Sequence, residues 1–388
     1  MSRKNFILIL VLFIISCNIE EKYSTINVEP FIGTQSKLQA TDYVKSIHYV
    51  ALETDANAII SSSPISHLYV TSENIIIFDG MCYIFNRSGE YVRTIGSQGK
   101  GPKEYISAYY GHYNPITESI LIPTGSNAIN RFSIDGVFKE KISLPQGNFL
   151  KIASINDSLF VGYESNVKGD SPYTVSIFNN KGKVLKRLLN QHIYKATHTN
   201  MFLNEFLFFY DKGKLYFRET WSDTIFSITP KMKVRPEHIF HQGKYKFDIT
   251  IKSDFQTFIE ENTKNFFNVT NTFICDQRLI VTYLHNRRNN LLVVNLNDKT
   301  IQNFLGTKSL KGIPNDYDGG MDIYPEGVAE SRTCYMRINA YDLKAHVASE
   351  AFRSSTPKYP ERKRELEALA NHLKDDDNPV LMVVTFEE

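Results

Sequence analysis

A chain of 388 residues with 42% hydrophobic and 22% charged side chains has the balance of a folded globular protein, which excludes long-range disorder and leaves room for one large all-β domain or several smaller ones. Its 26 Phe and 22 Tyr favour pleated structure, on which flat rings pack well. The formal charge of +2 falls to zero once Arg3 and Lys4 are set aside with a leader segment, and the one dense basic stretch, ERKRE at 361–365, mixes signs like a solvated helix face, so no nucleic-acid partner is expected.

Arg3 and Lys4 precede ten apolar residues, Phe6 to Ile15, and then Ser16 and Cys17. Ten helical residues span about 15 Å, half of a bilayer core, so this pattern predicts a secretory signal and not a membrane span. The Ile14-Ile15-Ser16-Cys17 ending resembles the bacterial lipobox, in which the Cys is acylated and becomes the mature N-terminus. Cys17 is therefore the expected lipid attachment, with residues 1–16 as signal peptide and 17–44 as a lipid-anchored linker. More than one acyl chain makes such an anchor durable. Asn18 stands where an Asp would favour inner-membrane retention, so the expected address is the outer membrane, with the leaflet undecided. The remaining cysteines, Cys82, Cys275 and Cys334, show no metal-binding spacing and read as small core residues, although one pair could be oxidised in an envelope compartment.

From residue 65 onward, short apolar runs separated by turn residues predict antiparallel hairpins: ISHLYVT, NIIIF, CYIFN and YVRTI make a four-stranded meander ending near residue 95. The turn IFNRSGEY, marked by Phe85, recurs as RFSIDGVF at Phe132, IFNNKGKV at Phe178, IFSITPKM at Phe226 and VVNLNDKT at Val294, at intervals of 47, 46, 48 and 68. The long interval holds SDFQTFIEENTKNF, where Phe255, Phe258, Ile259 and Phe266 follow a capping Ser253 or Asp254 and predict one inserted helix. Four strands repeated near 45 residues are the mark of a propeller blade, and five blades are visible. A pair of β-sandwiches would also show frequent turns but no such period.

A sixth blade is expected from GGMDIYP (319–325), TCYMRIN (333–339) and PVLMVVTF (379–386), interrupted by one C-terminal helix that begins at Pro360 and aligns Leu366, Leu369 and Leu373. KSIHYVALET (45–54) alternates well yet belongs to no visible blade. Pairing it with the C-terminal strands removes two raw sheet edges and closes a ring. The predicted fold is thus all-β, a six-bladed β-propeller over 45–388 with four-stranded antiparallel blades, one inserted helix and one C-terminal helix.

At IGSQGKGPKEY (95–105) the chain resembles the six-bladed β-propeller lipoproteins of Gram-negative bacteria, relatives of NHL-repeat propellers, whose signature has the form IGxxGxGPGEY. Gly96, Gly99, Gly101, Pro102, Glu104 and Tyr105 match, and Lys103 replaces a Gly. HYVALET (48–54) and DNPVLMVV (377–384) resemble the leading and closing strands of that family. The resemblance implies a fold and an envelope location and carries no single activity. A Lys103 forced to positive φ would be strained by about 1 kcal/mol, so a different local conformation is expected there.

Motifs for chemistry are sparse. GSQGKGP lacks the Lys-Ser/Thr and helix of a P-loop and leads into another strand, so it reads as a connection between blades. Asn315 to Asp322 places three carboxylates around a Gly pair, which reads as a polar turn opening the last blade and not as a Ca²⁺ loop. His238 and His241 are three apart in a strand-like run and would point to opposite faces, while His192 and His198 flank a loop. No metal or cofactor is expected. Trp221 in ETWSD, with Tyr109 and Tyr110, is a candidate ligand rim, although packing between blades is the preferred explanation of Trp221 and of the Tyr105, Tyr109, Tyr110 and Tyr113 group. The function that follows is a ligand- or protein-binding or scaffold module, held to the membrane by its lipidated N-terminus and meeting an unidentified envelope protein or glycan. The alternative is a hydrolase or lyase with side chains gathered at the mouth of the central channel.

Overall fold

The computed structural model describes residues 23–61, 67–125, 127–147, 149–196, 206–219, 221–262, 264–306 and 312–388. Cys17 and the leader lie outside the described residues, as does His198. Two N-terminal strands, β1 (Ser24–Asn27) and β2 (Val44–Ala51), precede the first meander. Blade 1 is β3 (His67–Val70), β4 (Asn74–Asp79), β5 (Met81–Asn86) and β6 (Tyr91–Ile95), and blade 2 is β7 (His112–Asn114), β8 (Ser119–Pro123), β9 (Ala128–Ser133) and β10 (Phe138–Ser143). Blade 3 is β11 (Phe149–Ser154), β12 (Leu159–Glu164), β13 (Tyr173–Asn179) and β14 (Val184–Leu189), and blade 4 is β15 (Phe206–Asp211), β16 (Lys214–Glu219), β17 (Thr224–Ile228) and β18 (Val234–His241). The helix α1 (Phe255–Asn262) leads to blade 5, formed by β19 (Asn268–Cys275), β20 (Arg278–His285), β21 (Arg288–Asn295) and β22 (Ile301–Phe304). Blade 6 begins with β23 (Gly327–Glu330) and β24 (Thr333–Ile338), passes through α2 (Ala340–Ala348), α3 (Glu350–Ser354) and α4 (Pro360–His372), and ends with β25 (Val380–Phe386).

The predicted ring is present. β2 pairs antiparallel with β25, Ile47 opposite Val384, so the two chain ends complete blade 6. Each of the five sequence markers falls in the third strand of its blade, where the chain turns toward the outer edge. Gly89 shows why the first turn keeps a glycine: it holds φ +88°, and a Cβ there would stand 2.1 Å from the Ala51 carbonyl of the closing strand.

The apolar interior lies between blades. Along β4, Ile75 and Ile77 pack toward blade 6 while Ile76 and Phe78 pack toward blade 2. Both sheet faces are covered, which explains a continuous apolar run where a half-exposed strand would alternate. The same division recurs between blades 2 and 3 and between blades 3 and 4.

Three details differ from the sequence reading. GGMDIYP is no strand. Asp318 accepts from the Gly320 backbone N–H at 2.8 Å and folds this stretch into a turn, so the innermost strand of blade 6 starts only at Gly327. The C-terminal helix is one of a group of three, because Leu343 and Val347 share a buried face of α2 and Ser349 caps α3 by accepting from Phe352 N–H. Part of the stretch expected as linker lies on the ring: β1 adds to blade 4 as a fifth, parallel strand against β18. The chain then crosses blade 5, where Ser36 N–H donates to Asn303 O, and reaches the turn before blade 6, where Thr41 donates to Asp316, before entering β2.

Candidate functional site

The innermost strands β3, β7, β11, β15, β19 and β23 all border one cavity of about 590 Å³ on the propeller axis. In a meandering blade, the connection from the previous blade and the turn between second and third strands lie at the same end. That end therefore carries the GSQGKGP loop, α1 and the α2–α4 group, and it is where Tyr109 and Tyr110 approach the cavity just before β7. Tyr110 is 40% exposed.

A chain of hydrogen bonds crosses the channel. Tyr69 of blade 1 lies 3.0 Å from His112 Nδ1, and His112 Nε2 lies 3.0 Å from the hydroxyl of Tyr210 in blade 4. Blades 1 and 4 stand opposite one another in a six-membered ring. Tyr210 has one hydroxyl proton and gives it to the Ser154 carbonyl of blade 3 at 2.6 Å, so it accepts from His112 Nε2–H. His112 Nδ1 then accepts from Tyr69. This assignment leaves the imidazole neutral with both nitrogens engaged. Burial, with His67 nearby, lowers its pKa to about 3. Burial also raises the pKa of Tyr69 and of Tyr210 well above the phenol range.

Other polar groups on the wall have partners. His67 Nε2 meets the Gly111 carbonyl at 2.9 Å, and its ring stacks on Phe78. Glu326 is held by Arg337 at 2.8 Å and its carbonyl accepts from Asn271. Tyr335 donates to the Leu68 carbonyl, linking blade 6 to blade 1. Lys151 in β11 differs: no hydrogen bond or ion pair to its ammonium occurs among the described residues, and burial lowers its pKa to about 8.

The model of a family described as Domain of unknown function (DUF4934) matches residues 23–385, nearly all of the chain. This chain belongs to the DUF4934 family. Among curated proteins none matches it. A protein of Bacteroides fragilis NCTC 9343, provisionally named an exported protein, shares the fold with a TM-score of 0.72 at 15% identity, covering 95% of this chain and 100% of its own. The virginiamycin B lyase of Staphylococcus aureus overlaps at a TM-score of 0.36 and 13% identity, covering 70% of this chain and 78% of its own. The WD40 propeller domain of Doa1 overlaps at 0.32 and 11%, covering 69% and 73%. These two overlaps are too loose to carry an argument about this chain.

In this DUF4934 member the expected rim residues part company. Tyr109 and Tyr110 border the channel, whereas Trp221 stacks against Phe247 at 4.5 Å and Phe258 at 5.4 Å, beneath α1 and away from the axis. Asp254 caps α1, accepting from Thr257 N–H at 2.8 Å. Tyr105 and Tyr113 are core residues between blades 1 and 2.

The glycine-rich signature is explained by its own Glu and Tyr. Gly101 N–H donates to the Glu104 carboxylate at 2.7 Å, and a Cβ on Gly99 would collide with that carboxylate. Tyr105, fully buried, donates to the Ile95 carbonyl at 2.8 Å. Lys103 keeps negative φ and sets its ammonium 5.4 Å from the Phe138 ring centre, so a Lys where the resembled signature has Gly causes no strain.

Of the remaining candidates, His238 Nδ1 is buried with no hydrogen-bond partner among the described residues, and the others are engaged locally. The Asn315–Asp322 carboxylates bind Thr41, Asn315 and the Gly320 backbone, tying the N-terminal strap to blade 6. His192 bonds Glu219 at 2.8 Å, and His241 bonds Asn27 of β1 at 3.1 Å. Among the described residues no three His, Cys, Asp or Glu side chains gather closely enough to hold a metal ion. Cys82, Cys275 and Cys334 are buried free thiols. No helix among the described residues is long and apolar enough to cross a membrane.

Sequence reasoning missed Tyr69, His112, Lys151 and Tyr210. Each belongs to a different blade, and no linear motif joins residues 43 and 98 positions apart.

Proposed function

We propose that this protein is an envelope-anchored propeller of the lipidated, NHL-like kind that binds a ligand in its central channel. One observation carries the reading: a cavity of about 590 Å³ bordered by all six innermost strands, rich in aromatic rings and approached from the face where the long connections gather. A volume of this order suits a small molecule or the end of a larger one. Binding fits the wall better than turnover. Two of the groups that a hydrolase or lyase would use to move a proton are engaged: both His112 nitrogens are bonded and Glu326 is paired with Arg337.

The envelope address rests on the leader pattern ending at Cys17 and on the provisional name of the Bacteroides neighbour. Five residues, Asn18 to Lys22, separate Cys17 from Tyr23. Fully extended, the link from Cys17 to Tyr23 reaches about 20 Å. An anchor at Cys17 therefore holds the outer edge of blade 4 near the lipid surface.

The test is ligand capture from envelope extract by the intact protein in detergent, compared with Leu207→Trp, which places a large ring at the channel wall. The wild type should retain a component that the folded Leu207→Trp protein loses. Equal retention by both would remove the channel from the account.

A further inference from the structure

The binding reading leaves the ligand's chemistry open, and Lys151 narrows it. Lys151 lies three residues before Ser154 in a regular stretch of β11, about 10 Å along the strand from the carbonyl that anchors the hydrogen-bonded bar. It is displaced toward the start of the strand, the end from which Tyr109 and Tyr110 approach. By alternation it shares a side with Ala153, which packs toward blade 4 among Phe206, Phe208 and Tyr163.

A partly buried cationic side chain at the cavity wall, left without a counter-charge, costs free energy in the empty protein. Among the described residues the carboxylates bordering the same cavity leave it unpaired: Glu326 is committed to Arg337, and no ion pair joins Glu118 to Lys151. An incoming anion would supply the missing partner. The charge available is a single one. Among the described residues no arginine borders the cavity, so a dianion such as a phosphate monoester would remain half-compensated beside Glu118 and Glu326. Rings of Tyr69, Phe208, Phe273 and Tyr335 border the same cavity.

We infer that the channel takes a monoanionic carboxylate carried on a flat apolar body, with Lys151 as the counter-charge and the Tyr69–His112–Tyr210 bar beneath it. This inference rests on the channel-binding reading and refines it.

The probes are benzoate, 2-naphthoate and dansylglycine, each beside its neutral carboxamide, titrated against the full-length protein in detergent and against Lys151→Met and Lys151→Arg. The wild type should bind each acid about tenfold more tightly than its amide, as a charged hydrogen bond at a partly buried site allows. Lys151→Met should lose that preference while keeping amide binding, and Lys151→Arg should retain most of it. Acids and amides binding alike, or a preference that survives Lys151→Met, overturns the anion inference and leaves channel binding intact. Binding that Leu207→Trp fails to diminish, or no binding by any probe, overturns both. Should Lys151→Met fail to fold, Lys151→Gln serves the same comparison, with thermal melting as the check on folding.

Discussion

His112 Nε2 donates to the Tyr210 hydroxyl at 3.0 Å, joining blade 2 to blade 4 past the intervening blade 3. The direction of that bond is fixed by Tyr210, which spends its only proton on Ser154 O. Removing the Tyr210 hydroxyl strands the buried His112 Nε2–H, while the Ser154 carbonyl keeps the Asn114 amide as donor at 3.2 Å. Tyr210→Phe should therefore lose about 1–3 kcal/mol in urea unfolding. Tyr69→Phe removes only the donor to Nδ1 and should cost less. Equal and negligible effects in the two variants would show that the bar contributes no stability.

The same imidazole makes the fold acid-sensitive. Burial lowers His112 from 6.5 to about 3, so between these values the unfolded chain binds a proton that the folded chain does not. The stabilising contribution is complete above pH 6.5 and is lost as pH falls toward 3. His238, lowered to about 4, and His285 act in the same direction. His112→Gln should therefore reduce, without abolishing, the drop in urea midpoint between pH 7 and pH 4.5. An unchanged drop would contradict the neutral, buried state of His112.

Two glycines separate backbone strain from steric conflict. Gly89 and Gly213 both hold positive φ, but a Cβ on Gly89 would meet Ala51 O at 2.1 Å whereas Gly213 has nothing within 4 Å. Gly213→Ala should cost about 1 kcal/mol from conformation alone. Gly89→Ala should cost clearly more, because the closing strand β2 must shift. Calorimetric melting of both variants decides the point, and equal costs would argue against a tight seam between the first turn and β2.

The anchor is tested by metabolic labelling with an alkyne-bearing palmitate. Wild-type protein should carry label and sediment with membranes; Cys17→Ala should carry none and appear in the soluble fraction. A labelled or membrane-bound Cys17→Ala protein would remove the lipid from the account.

The ring was legible in the sequence because each blade repeats the same local chemistry. A turn glycine or polar pair follows an apolar strand every 46 to 48 residues, and the marker residues from Phe85 to Val294 fall in equivalent strands. The closing pair was legible for a related reason: 45–54 alternates but has no local partner, and a raw edge must be covered. The channel was not legible, since its chemistry comes one side chain at a time from strands dozens of residues apart. Trp221 shows the converse. A lone Trp at a hairpin tip is compatible with a rim or, as preferred, with packing; Phe247 and Phe258 lie against its ring, partners that depend on how the inserted helix docks. The helices α2 and α3 escaped notice because Leu343 and Val347 are a short apolar signal between two strands.

The most direct test of a ligand-binding channel is a difference electron-density map of the protein soaked with 2-naphthoate. The account predicts density on the propeller axis above the Tyr69–His112–Tyr210 bar, with its carboxylate within hydrogen-bond reach of Lys151 Nζ. An empty channel at saturating naphthoate, or density confined to the outer faces of the blades, would contradict it.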